Sequence, residues 1–110
     1  MADKSSDLVQ GTLDMLILKT LALEPMHGWG VAVRIEQISR SVSRVNAGSL
    51  FVALQRLQRG GLIKSEWNAT ENNRRAKYYT LTEQGRKKLN SETREWQRQV
   101  AAIARILETA

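Results

Sequence analysis

A chain of 110 residues is the size of one modest domain; it contains no cysteine and a single histidine, His27, which excludes disulfide frameworks, thiolate metal sites and histidine-based metal centres. Lys and Arg number 17 against 11 Asp and Glu, a formal charge of +6, and the excess lies between Arg56 and Lys88, where nine cations (Arg56, Arg59, Lys64, Arg74, Arg75, Lys77, Arg86, Lys87, Lys88) meet three glutamates (Glu66, Glu71, Glu83). Charge confined to one segment suggests a polyanion-facing surface, and because the segment reads mostly as strand and turn, nucleic acid is favoured over an anionic membrane.

Met1 to Asp7 is polar and reads as a frayed end, the alternative being an arm that lays Lys4 along a phosphate backbone. The start MADKSSDLVQ lacks a basic stretch followed by an apolar run, and no apolar stretch approaches the roughly 20 residues of a membrane span. The expectation is a soluble, cytoplasmic protein with no cofactor and no membrane partner. Leu13, Leu16, Ile17, Thr20 and Leu21 then keep helical spacing, with Thr12 as N-cap and Asp14 complementing the dipole in the first turn. Glu24-Pro25 ends that helix, because a residue before proline is pushed out of the α region.

A second helix is expected from about Gly28 to Ile38, with Val31, Ile35 and Ile38 inward. Gly28 and Gly30 cost about 1 kcal/mol each relative to Ala in a helix. Two compensations are open: tight helix packing, or approach of the N-terminal amides to a phosphate with the Trp29 indole as a further donor. His27 reads as a cap or turn histidine, since no nucleophile pattern accompanies it. Ser39 to Asn46 is a polar link with a short strand expected at Ser43 to Val45.

The stretch NAGSLFVALQRLQRGGLI at 46–63 organises the chain. Leu50, Ala53, Leu54 and Leu57 share one helix side, while Gly48, Val52, Gln55 and Arg59 lie opposite, flanked by Ser49 and Arg56. Small residues permit close approach, and Gln and Arg match adenine and guanine edges. Gly60-Gly61 stops the helix. Leu62 to Asn68 and Ala76 to Leu81 follow as two strands, with Ile63, Ser65 and Trp67 alternating against Leu62, Lys64 and Glu66, and Tyr79 and Leu81 the inward pair. The polar link Ala69 to Arg75 makes a hairpin with a basic tip. Three helices and then a cationic hairpin is the order of a winged helix-turn-helix, in which the third helix enters the major groove and the hairpin an adjacent groove or backbone.

Thr82 is a good N-cap for a last helix, with Gly85 where a close backbone neighbour would exclude a side chain. Leu89, Trp96 and Ile103 form one heptad line and Thr93, Val100 and Leu107 another. The strict 3.5 spacing fits a partner helix better than a fold back onto the same domain, so a homodimer is expected. Trp96 either packs that interface or, near its symmetry mate, stacks on a planar ligand.

The strings QGTLDMLIL at 10–18, MHGWG at 26–30, GSLFVALQRL at 48–57, GLI at 61–63, NNRRAKYYTLTEQG at 72–85 and the tryptophan-bearing final helix together resemble the PadR-like transcriptional regulators in their short form. The resemblance implies a mainly α (α+β) winged helix-turn-helix with a two-stranded β-wing at 1–81 and a C-terminal dimerisation helix at 82–110. It further implies a homodimeric repressor binding an inverted-repeat DNA operator, in a family that often responds to small aromatic or otherwise toxic compounds. The family's recognition-helix signature falls on Gly48, Ser49, Leu50, Phe51, Ala53 and Leu54, and its wing signature on Arg74, Arg75, Lys77 and Tyr79. Phe51 and Val52 stand where the family usually has tyrosine and proline, and Trp29 where it usually has tyrosine.

The expected DNA-binding residues are therefore Gly28, Trp29, Ser49, Phe51, Val52, Gln55, Arg56, Arg59, Arg74, Arg75 and Lys77. Among them Ser49, Gln55 and Arg56 read base edges, while Arg59, Arg74, Arg75 and Lys77 hold phosphates or, from the wing, an A·T-rich minor groove. The expected dimer residues are Leu89, Thr93, Trp96, Val100, Ile103 and Leu107, with Trp96 doubling as the effector candidate. The competing reading is a winged-helix protein-interaction module whose basic wing binds an acidic partner. An enzyme is not expected, because the residues assemble no nucleophilic, acid–base or metal-binding set.

Overall fold

In the first helix, α1 (Thr12–Leu23), the expected stripe is buried at Ile17, Thr20 and Leu21, joined by Leu18. Thr20 tolerates burial because its hydroxyl donates to the Leu16 carbonyl at 2.7 Å. These positions come from a computed structural model that describes residues 12–109. The stretch Met1 to Asp7, expected as a frayed end with a Lys4 arm as the alternative, lies outside them.

After Glu24-Pro25 comes an element the sequence reading lacks, the two-residue strand β1 (Met26–His27). It adds to the wing, so the sheet has three strands rather than two. His27 also caps α2 (Gly28–Ile38), its Nδ1 accepting from the Gly30 amide at 3.0 Å, which requires an unprotonated Nδ1. Val31 and Ile35 are buried as expected, with Gly28 and Ala32. Ile38 is not: at the last helical position the packed surface has run out, and it stays 59% exposed.

The helix ends in a Schellman arrangement, Ser41 N–H donating to the Glu36 carbonyl (2.8 Å) and Arg40 N–H to that of Gln37 (3.1 Å). Arg40 and Ser41 take left-handed φ values of 55° and 65°. The strand expected at Ser43 to Val45 does not form; the Ser43 amide donates to the Ser39 hydroxyl (3.0 Å), and Val45 is partly buried against the core.

Asn46 caps α3 (Ala47–Arg59), its side-chain oxygen accepting from the Ser49 amide at 3.2 Å. The buried residues are the four expected, Leu50, Ala53, Leu54 and Leu57. Gly61, at φ 77°, turns the chain, and the Leu62 amide returns to the Leu57 carbonyl at 3.0 Å. The strands β2 (Ile63–Ala69) and β3 (Arg75–Leu81) pair antiparallel from Ile63↔Leu81 to Ala69↔Arg75, and β1 pairs with the other edge of β3, giving the order β1-β3-β2.

Thr82 caps the 26-residue α4 (Glu83–Glu108), its hydroxyl accepting from the Gly85 amide at 3.0 Å. Such a helix is about 39 Å long, and the molecule is elongated, 59 × 36 × 20 Å. Only its start joins the core: Gly85 presses against Leu62, and Leu89 is 6% exposed within the cluster that α1, α2, α3 and the sheet share. No helix among the described residues is long and apolar enough to cross a membrane.

Candidate nucleic-acid interface

Burying one side of α3 leaves Gly48, Ser49, Phe51, Val52, Gln55, Arg56 and Arg59 exposed. They do not all point the same way. Arg56 lies 100° round the helix from Gln55, on the flank beside α1, and its guanidinium pairs with Asp14. The Arg56 side chain is turned toward α1 while staying exposed, and Ser49 and Gln55 lie on the open face. On the opposite flank Gln58 accepts from the Ser65 hydroxyl at 3.1 Å, tying α3 to β2.

Gly28, at the start of α2, lies against α3. It is buried, and a Cβ there would lie 3.0 Å from Phe51 Cε1 and 3.2 Å from Leu54 Cδ1. Of the two compensations open for this glycine, close packing holds, and the missing side chain makes room for Phe51. Gly30 faces the His27 ring in the same way, a Cβ falling 3.2 Å from it.

The wing follows from strand alternation. Ile63, Ser65, Trp67 and Ala69 share one face with Leu81, Tyr79, Lys77 and Arg75. Near the helices that face is core, with Ile63 and Tyr79 buried, and burial holds the Tyr79 phenol above its ordinary pKa. Toward the tip the same face emerges: Trp67 is 57% exposed, and the Arg75 guanidinium lies over its ring, 5.7 Å from the centroid. The tip turns through Asn73 at φ 60°, with the Asn73 amide donating to the Thr70 carbonyl at 2.9 Å, and Arg74 stands exposed beside it. Trp67 is the residue the sequence reading passed over, because alternation places it on the face of Ile63 without showing where that face leaves the core. The available signal was length, since two seven-residue strands reach beyond what the short helices cover.

Between α3 and the wing lies a cleft of about 450 Å³ lined by Trp29, Phe51, Gln55, Trp67, Lys77 and Tyr79. Further along α3, a second depression gathers Gln55, Gln58, Arg59 and Lys77. Cations, amides and donor-bearing aromatics thus share one exposed side. Such a surface offers hydrogen bonds to base edges and charge to phosphates.

On α4 the expected seam divides. Leu89 belongs to its own domain's core, which corrects its assignment as a dimer residue. Thr93 is half-buried and donates to the Leu89 carbonyl at 2.7 Å. Trp96, Val100, Ile103 and Leu107 are exposed, Leu107 by 78%. Trp96 borders a groove of about 490 Å³ between α1 and α4, with Met15, Leu16, Lys19 and Thr93. On the solvent side Glu95 accepts from Gln99 and Arg98, which hold its carboxyl below the usual range.

Residues 17–91 match the model of the transcriptional regulator PadR-like family, a span from mid-α1 through the first turns of α4. The chain belongs to the PadR-like family of transcriptional regulators. Solved structures agree. A transcriptional regulator from Clostridium thermocellum is 25% identical, with a TM-score of 0.82 over 90% of this chain and 96% of that one. A PadR family transcriptional regulator from Eggerthella lenta is 29% identical, with a TM-score of 0.76 over 92% and 86%. One from Clostridium difficile is 27% identical, with a TM-score of 0.76 over 88% and 99%. The protein is accordingly a winged-helix, DNA-binding PadR-like regulator, in a family of transcription regulators rather than enzymes. Within it, the Phe51 and Val52 departures acquire a local reason at Phe51, whose ring occupies the space Gly28 leaves open.

Proposed function

We propose that this PadR-like regulator is a homodimeric repressor that sets two copies of α3 into successive major grooves of an inverted-repeat operator, about 34 Å apart. The observation that carries this reading is the shared exposure of the Ser49, Val52, Gln55 and Arg59 face of α3 and of Arg74 and Arg75 on the wing beside it, with half-buried Lys77 lining the cleft that joins them. Ser49 and Gln55 read base edges; Arg59, Arg74, Arg75 and Lys77 hold phosphates, and Trp29 donates its indole N–H to one. Arg56 joins Ser49 and Gln55 at a base edge by exchanging its exposed pair with Asp14 for DNA.

Dimerisation falls to α4 beyond Leu89, through Trp96, Val100, Ile103 and Leu107. The support is their exposure along the two adjacent heptad lines of a helix extending past the core. The division into a DNA-binding unit at 1–81 and a dimerisation helix at 82–110 then shifts, because the first turns of α4 pack with the DNA-binding unit. A planar aromatic effector would bind against Trp96 in the groove beside α1.

Selecting genomic fragments with the purified protein tests the central claim. Recovery of one inverted repeat, with Gln55→Ala relaxing preference at a single position in each half-site, is the expected result. Equal affinity for selected and random duplexes would remove the sequence-specific reading. For the effector, a variant retaining only Trp96 should show an indole fluorescence change on titration with planar aromatics.

A further inference from the structure

The cleft between α3 and the wing has an unusual lining for a DNA-facing surface. Trp29, Phe51 and Trp67 are all substantially exposed around it, with Lys77 between them and Arg75 stacked on the Trp67 ring. Phosphate contact alone asks for cations and N–H donors, and such interfaces are ordinarily polar. Three apolar rings held at the surface need a partner that also presents apolar area.

A major groove and its neighbouring minor groove are separated by one sugar–phosphate strand. If α3 occupies the first and the wing tip the second, that strand must run between them, and the space between them is this cleft. We propose that the cleft clamps a single duplex strand, with Trp67 packing its indole on the C–H face of a deoxyribose while Lys77 and Arg75 take the flanking phosphates. The wing matches the strand in kind: one ring with two cations beside it opposes one sugar with its two phosphates. Trp67 on β2 lies opposite Lys77 on β3, and Arg75 lies one pleat further toward the tip on β3, so the indole has a cation directly across from it and another on the diagonal, all on one face of the wing. Phe51 supplies the facing wall from α3, seated on Gly28. The inference rests on the proposed groove placement of α3 and adds Trp67 to the DNA interface as a sequence-independent contact.

Trp67 is a surface residue, so its replacement tests contact rather than folding. Trp67→Ala should weaken binding about tenfold on selected and random duplexes alike, with little change in the slope of log K against log salt, because the charge is unaltered. Trp67→Phe should recover most of the affinity. The same Ala substitution in an Arg75→Ala background should cost a similar factor again; no additional weakening would mean that the indole serves only to hold the guanidinium, and would overturn the clamp. Protection of guanine N7 from methylation by the unaltered protein reports separately on α3 in the major groove. Protection together with normal binding by Trp67→Ala, the outcome expected if the cleft instead takes a small planar ligand, sinks the clamp and leaves the groove reading standing. Absence of protection removes both.

Discussion

Arg40 and Ser41 are non-glycine residues in the left-handed region, at the turn that sets α2 against α3. A Cβ in that conformation crowds the following carbonyl at a cost of roughly 1–2 kcal/mol per residue. Arg40 occupies the position of the Schellman motif that glycine favours. Arg40→Gly should therefore raise stability by about 0.5–1 kcal/mol after the extra freedom of glycine in the unfolded chain is deducted, visible as a higher denaturant midpoint with an unchanged slope. A lower midpoint would show that the arginine contributes interactions outweighing its strain. Gly85 presents the opposite case. A Cβ there would collide with the Leu62 carbonyl and lie 2.7 Å from Leu81 Cδ1, and neither β2 nor α4 can yield without moving the wing. Gly85→Ala should cost about 3 kcal/mol, the upper part of the overpacking range; a thermal melt within a degree of the unaltered protein would contradict that. Both glycine-linked demands arise from backbone geometry, yet only one was legible. The spacing of Gly85 from Thr82 placed it in the first turn of a helix that must lie close to its neighbour, whereas nothing local marks Arg40 as left-handed.

The helices and the wing differ in how they depend on context. The face of α3 was legible because Leu50, Ala53, Leu54 and Leu57 form an uninterrupted stripe with a cap before it and two glycines after it. β1 was not, since two residues carry no period and their pairing to Tyr78 and Tyr79 is a long-range choice. Trp67 was left unassigned for a related reason: alternation tells which face a side chain is on, and only the position of the helices tells where that face stops being core. At this scale the wing makes a quantitative commitment. Arg74→Ala with Arg75→Ala should weaken binding to every duplex and reduce the magnitude of the salt slope by up to about 0.9 for each phosphate no longer neutralised. An unchanged slope in a salt series would take the hairpin out of the interface.

For the whole molecule, the decisive feature is that α4 outruns the domain it starts in. Gly85 and Leu89 anchor its first turns, and beyond Thr93 its large apolar side chains are only partly covered, from 40% exposed at Val100 to 78% at Leu107. Replacing Ile103 and Leu107 by Asp should convert a dimer into monomers in light scattering while the winged-helix unit keeps its melting transition. Operator affinity should then fall far more than affinity for a single half-site, since the two reading heads are no longer tethered to each other. A monomer already present in the unaltered protein at micromolar concentration would defeat this account.

The four helices, the inward face of α3, the basic hairpin and the heptad spacing of the last helix were determined by the sequence alone, because each is written in a local period or a run of charge. Tertiary structure decided which of those residues remain available. It folded Leu89 into its own core, buried Gly28 beneath Phe51, drew Arg56 toward Asp14 and carried Trp67 past the edge of the helices into solvent. Periodicity reports the direction of a side chain from its own backbone, whereas burial depends on what another part of the chain places there.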